Sequence, residues 1–110
     1  MTITHGTWGD RHIIFENDFC IVTYLKLKPK KRCSYHYHQT AYNKFYVLDG
    51  ILGVKTEKGY SEVAAGESFT TEPGLKHEFI TPFVAVKVIE IAYVKYNPGD
   101  IIRESLGGDL

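Results

Sequence analysis

Apolar and polar positions alternate with period two along most of the chain. In residues 19–28, Phe19, Ile21, Thr23, Leu25 and Leu27 share one side, and Tyr24, Lys26 and Lys28 share the other. The first set is expected to face a core, because successive side chains of a strand point to opposite faces. Similar short runs, rich in Val, Ile, Thr, Tyr and Phe, predict strands near 19–28, 33–38, 44–49, 51–57, 60–64, 67–72, 76–81 and 84–96. Gly50, Gly53, Gly59, Gly66 and Gly74 punctuate the middle at short intervals. That rhythm predicts an all-β sandwich or barrel. The one helix expected is a short one after Asp100, in D-I-I-R-E-S-L.

Composition narrows the function. The chain has 110 residues, 44% of them hydrophobic, which predicts a single globular domain with one core. Thirteen Lys and Arg balance thirteen Asp and Glu. A neutral chain is a poor partner for nucleic acid or anionic lipid, since both reward concentrated positive charge. The cluster Lys28, Lys30, Lys31, Arg32 is accordingly read as a solvated turn around Pro29. Cys20 and Cys33 form no C-x-x-C pair and are read as two inert thiols of a cytoplasmic protein. No signal segment opens the chain, and its most apolar stretch, 83–96, is broken by Lys87 and Glu90, so no membrane span is expected.

The histidines carry the chemistry. His36 and His38 are two apart in C-S-Y-H-Y-H, which on a strand puts both rings and Ser34 on one face, with Cys33, Tyr35 and Tyr37 on the other. Imidazoles at that spacing are close enough to share one ion, and they suit zinc, copper, iron or nickel. A third histidine, His77, follows the tight Pro73-Gly74 turn and opens another strand.

These residues resemble the cupin superfamily. Its first motif, G-x5-H-x-H-x3,4-E-x6-G, finds His36, His38 and Gly50 in place, with Asn43 at the glutamate and Lys30 at the first glycine. Its second, G-x5-P-x-G-x2-H-x3-N, finds Gly66, Gly74 and His77, with Glu72 at the proline and Thr81 at the asparagine. The resemblance implies a double-stranded β-helix, or jelly-roll barrel, spanning about 19–94 within a single domain of 1–110. It also implies a divalent transition metal (Zn, Fe, Ni or Mn) held by His36, His38 and His77. Asn43 takes the place of a charged ligand, so weaker binding or an extra water is expected. G-T-W-G, S-Y-H-Y-H, V-I-E-I and G-D-I-I-R further resemble the C-terminal cupin domain of type II mannose-6-phosphate isomerase/mannose-1-phosphate guanylyltransferase enzymes. That narrower resemblance implies a sugar or sugar phosphate as the small-molecule ligand and an isomerase-like activity. A three-His non-haem iron dioxygenase and a non-catalytic binder are the alternatives.

Glu90 is the candidate catalytic acid/base. In the last strand it shares a face with Val86, Val88, Ala92 and Val94, but Ile89, Ile91 and Tyr93 make the opposite face equally apolar, so both orientations stand. Tyr35, Tyr37, Tyr42 and Tyr46 offer either sugar-stacking faces or packing surface. A homodimer is expected, because a strand apolar on both sides needs a second cover. Ile13, Ile14 and Phe15, together with Ile101 and Ile102, are expected to be exchanged between subunits.

Overall fold

The computed structural model describes residues 2–94, 104 and 106–110. Nine strands follow in order: β1 (Thr2–Gly6), β2 (Gly9–Glu16), β3 (Cys20–Leu27), β4 (Tyr42–Asp49), β5 (Ile51–Thr56), β6 (Gly59–Ala64), β7 (Ser68–Thr71), β8 (His77–Ile80) and β9 (Val86–Tyr93). They form a six-stranded sheet, β1-β2-β3-β9-β4-β7, and a three-stranded sheet, β6-β5-β8. Every pairing is antiparallel. The expected all-β jelly roll is therefore present. No described helix is long and apolar enough to cross a membrane.

The core lies between the sheets. Leu25, Leu27, Phe45, Val47, Leu52, Val54, Val63, Phe79, Val86 and Val88 are all buried. Phe45 and Phe79 meet edge to face, with centroids 4.1 Å apart, and so join the two sheets. Each buried side chain of this size contributes about 1.5–3 kcal/mol relative to exposure. Alternation sets what else faces inward. In β4 the buried set is Asn43, Phe45 and Val47, and β9 presents Val86, Val88 and Glu90 along the corresponding row. The open question about Glu90 is thereby answered: it points inward, and Ile89 and Ile91 point out.

Several expectations need correction. Residues 33–38 form no strand; the segment meets β8 through the isolated bridges Arg32–Ile80 and His36–His77 and the bond from Cys33 N–H to Phe79 O (2.9 Å). Here His36 Nδ1 lies 3.0 Å from both the carbonyl and the hydroxyl oxygen of Ser34, and such local side-chain bonds compete with a regular ladder. Strict two-residue alternation therefore fails, and Cys33 packs against the core rather than facing away from it. Phe19 is 67% exposed and stands outside β3. The Asn17 side chain accepts the backbone N–H groups of Phe19 and Cys20, at 2.8 Å each, and turns the chain there.

The N-terminus was not expected to be sheet, yet β1 and β2 form a hairpin that extends it. Ile13, Ile14 and Phe15 belong to β2, which pairs with β1 and β3 of the same chain; the register slips between Ile13 and Phe15. The helix expected after Asp100 and the exchange of Ile101 and Ile102 fall largely outside the described residues; Glu104 and 106–110 are irregular.

The motif glycines have a single physical explanation. Gly50, Gly66 and Gly74 have φ of 85°, 86° and 84°, the left-handed region that L side chains avoid. Lys30, at the motif's first glycine, has φ 55°. Its turn is held by Thr81, whose hydroxyl donates to Lys28 O (2.6 Å) and accepts Lys31 N–H (2.9 Å). Lys30→Gly should accordingly stabilise the protein by about 0.5–1 kcal/mol, by relieving a left-handed side-chain residue. Chemical denaturation measures this, and an unchanged or lowered midpoint contradicts it.

Candidate metal centre

Three segments bring the histidines together. His77 opens β8, and reciprocal backbone bonds (His36 N–H to His77 O, 3.0 Å; His77 N–H to His36 O, 2.8 Å) clamp His36 beside it. His38 O accepts the backbone N–H of Gly74 at 2.8 Å, which ties the following residues to the Pro73-Gly74 turn. The ring centroids are 5.0 Å (His36–His38), 4.5 Å (His36–His77) and 5.6 Å (His38–His77) apart. One nitrogen from each ring lies within 4.8 Å of the other two.

The hydrogen bonds decide which nitrogens carry lone pairs. His77 Nδ1 donates to Leu75 O at 2.9 Å, so in the neutral ring Nε2 is the acceptor. That Nε2 is buried and has no partner. A buried unmet acceptor costs about 1–3 kcal/mol, a cost that a bound ion removes. His36 Nδ1 donates to Ser34 O, leaving its Nε2 as acceptor too. Backbone carbonyls that fix ligand tautomers in this way are the usual outer support of metal-binding histidines. Burial and the neighbouring rings hold His77 below the usual histidine range, and burial with His36 does the same for His38. Protonation of these two rings is thereby disfavoured, as metal binding requires. The residues fit a divalent ion.

Asn43 behaves differently from the expectation. It is 1% exposed and reaches the histidines, but its Nδ2 donates to His38 Nε2 at 2.8 Å, while its Oδ1 has no partner. In this arrangement it caps His38 instead of offering an oxygen. A half-turn of the amide exchanges the two atoms.

His36 and His38 border a cavity of about 570 Å³. Its lining includes His36, His38, Asn43 and Glu90, joined by Trp8 and Arg11 from the N-terminal hairpin. Burial raises the Glu90 carboxyl, against a smaller opposing pull from Arg11 and His36. Cys33 also lines the cavity, but burial, with Glu90 and Glu78, pushes its thiol up to about 11, so it is no ready thiolate. None of Tyr35, Tyr37, Tyr42 and Tyr46 lines it. Tyr42 stacks on Tyr93 at 5.5 Å, and the other three are exposed. Sequence reasoning missed Trp8 and Arg11. Their signal was available in the Gly-flanked turn G-T-W-G, which is a two-residue hairpin loop, since Gly6 pairs with Gly9.

The cupin domain family matches residues 23–92. This chain is a cupin. Similar solved structures include KdgF from Halomonas sp., at 15% identity over 87% of this cupin and 90% of that chain, with a TM-score of 0.77. An RmlC-like cupin from Shewanella frigidimarina is 19% identical over 86% and 84%, with a TM-score of 0.76. A sugar phosphate isomerase of the cupin superfamily from Silicibacter pomeroyi is 16% identical over 80% and 60%, with a TM-score of 0.71. At these identities the likeness shows the fold. No match was found among curated proteins.

Replacing His36 or His77 by alanine in this cupin should abolish stoichiometric zinc binding with the sheet signal in circular dichroism intact. Full metal content in both variants contradicts the three-His centre. Asn43→Glu should tighten zinc by about tenfold or more, because a carboxylate adds charge where the amide offers a dipole; equal or weaker titrated affinity means position 43 does not reach the ion. For His38 and His77 the sign with pH is fixed: their depressed pKa values keep them neutral at about pH 7.5, so zinc should displace almost no protons from these two rings there. Titration in buffers of different ionisation heat tests this, and large release from them contradicts it.

Proposed function

We propose that this cupin is a metal-dependent isomerase of a small sugar or sugar phosphate, of the mannose-6-phosphate isomerase kind. The observation that carries the reading is a group of three histidines within reach of one ion, two of which, His36 and His38, share a cavity with an inward carboxyl, Glu90. His36, His38 and His77 would hold the ion, which supplies Lewis acidity toward the sugar carbonyl. Glu90 moves the proton: a carboxylate oxygen takes it from the hydroxyl-bearing carbon beside the carbonyl and returns it to the former carbonyl carbon. The proton of that hydroxyl passes to the former carbonyl oxygen, so that the carbonyl and the hydroxyl exchange places. Burial raises the pKa of Glu90, so the carboxyl holds a proton more readily than an exposed one, as a group that must take and return a proton requires. The sugar phosphate isomerase among the structural neighbours supports the reading by fold alone. Two unpaired thiols, Cys20 and Cys33, support a cytoplasmic setting.

A second reading is favoured by the Asn43–His38 bond, which occupies the lone pair an ion would need. On that reading the cupin is a metal-free small-molecule binder. A three-His iron dioxygenase has no separate observation in its favour.

Glu90→Gln should lower kcat for interconversion of mannose 6-phosphate and fructose 6-phosphate by about a hundredfold or more, with zinc content unchanged. A wild-type protein that holds zinc but is inactive on both sugars overturns the isomerase reading, and one that holds no zinc selects the binder.

We also propose that two copies pair through the outward face of the larger sheet, where Ile3, Tyr24, Ile89 and Tyr46 fall in one register row. Ile3 is 46% and Tyr46 45% exposed. Light scattering should give twice 12.5 kDa; the single-chain mass contradicts pairing.

A further inference from the structure

Arg11 has no part in the chemistry above, yet its position is specific. It lies on β2, in the inward register row with Leu25, Val88 and Val47, three buried residues. Its side chain lines the cavity that holds His36, His38 and Glu90. Among the described residues no carboxylate comes within ion-pair distance of its guanidinium. The single tryptophan, Trp8, lines the same cavity, and its indole lies where a Cβ on Gly6 would sit, 2.7 Å from Nε1. Gly9 keeps the turn closed: it has φ 141°, and a Cβ there would collide with the carbonyl of Lys26. Lys28 N–H donates to Trp8 O at 2.9 Å and anchors the turn to the end of β3. The hairpin therefore delivers a cation and an aromatic wall into the cavity as one rigid unit.

A guanidinium on an apolar wall without a carboxylate partner is an incomplete ion pair. Its rigid fork matches the two oxygens of a carboxylate or phosphate. We infer that Arg11 is the residue that selects the cavity's ligand, and that this ligand is a sugar-sized molecule bearing one carboxylate or phosphate, its ring set against Trp8. The inference rests on the reading of the cavity as the substrate site, and it narrows that substrate to an anion. Nothing in it requires the metal, because Arg11 offers no lone pair to an ion. Glu90 and Arg11 share the space without pairing, so an incoming anion meets the guanidinium while the carboxyl stays available for proton transfer.

The test uses Trp8 fluorescence as a reporter of occupancy in the purified full chain, before and after chelator treatment. Three probes share one ring: glucose, glucuronate and glucose 6-phosphate. Both anions should bind at least about tenfold more tightly than glucose, the tighter of them identifying carboxylate or phosphate as the matching group. Arg11→Gln should erase that preference, and Arg11→Lys, which keeps the charge but loses the fork, should retain part of it. The preference should survive chelation. Equal affinity for glucose and the two anions in the wild type overturns the inference without any variant. So does an anion preference unchanged in Arg11→Gln, or one lost on chelation, which would assign the anion to the metal and leave the metal reading standing. A chain that binds no zinc but keeps the Arg11-dependent preference removes the isomerase reading and leaves the inference intact.

Discussion

Three imidazoles held within reach of a single ion are the constraint on which the rest of the site depends. His77 Nε2 is buried with no donor to meet it. Two carbonyls, of Ser34 and Leu75, fix the tautomers that create this situation. The reciprocal backbone bonds between His36 and His77 keep the rings from drifting apart. Everything else about the site depends on this clamp. It holds His36 at the cavity that Glu90 enters from the inward row of β9.

Much of this was legible in the residues. Alternation identified the inward row of β3 from Thr23 to Leu27, and the two motifs placed His36, His38 and His77 in one site although His77 lies 39 positions after His38. The turn glycines were legible as turns, and the backbone explains why: each motif glycine occupies a left-handed φ, and Lys30 occupies one where the motif has glycine. Period-two reasoning failed at 33–38 for a physical reason. The segment is pinned at Arg32, Cys33 and His36 and bends between those points, so side-chain direction there follows local bonds to Ser34, not pleat. It also failed to orient Glu90, because β9 is apolar on both sides and only its pairing with β3 and β4 distinguishes them.

The N-terminal hairpin was the larger omission. Residues 2–16 mix charge and apolar residues without a clean alternation, and a bulge between Ile13 and Phe15 breaks what alternation there is. Hydrophobic alternation has nothing to hold there, and only the Gly-flanked turn G-T-W-G marks the hairpin. In three dimensions those residues extend the larger sheet and bring Trp8 and Arg11 to the cavity. Asn43 is the converse case. Its position in the interior was legible from the motif, whereas its hydrogen bond to His38, which places the amide between metal ligand and metal substitute, was visible only in the geometry.

The centre itself is tested most directly by X-ray absorption at the zinc edge of the metal-loaded protein. The account predicts a shell of nitrogen and oxygen at about 2.0–2.1 Å, with the outer-shell scattering of three imidazoles and no sulfur. A sulfur contribution at about 2.3 Å, which would bring Cys33 into the coordination, or scattering from fewer than three imidazole rings, would contradict it.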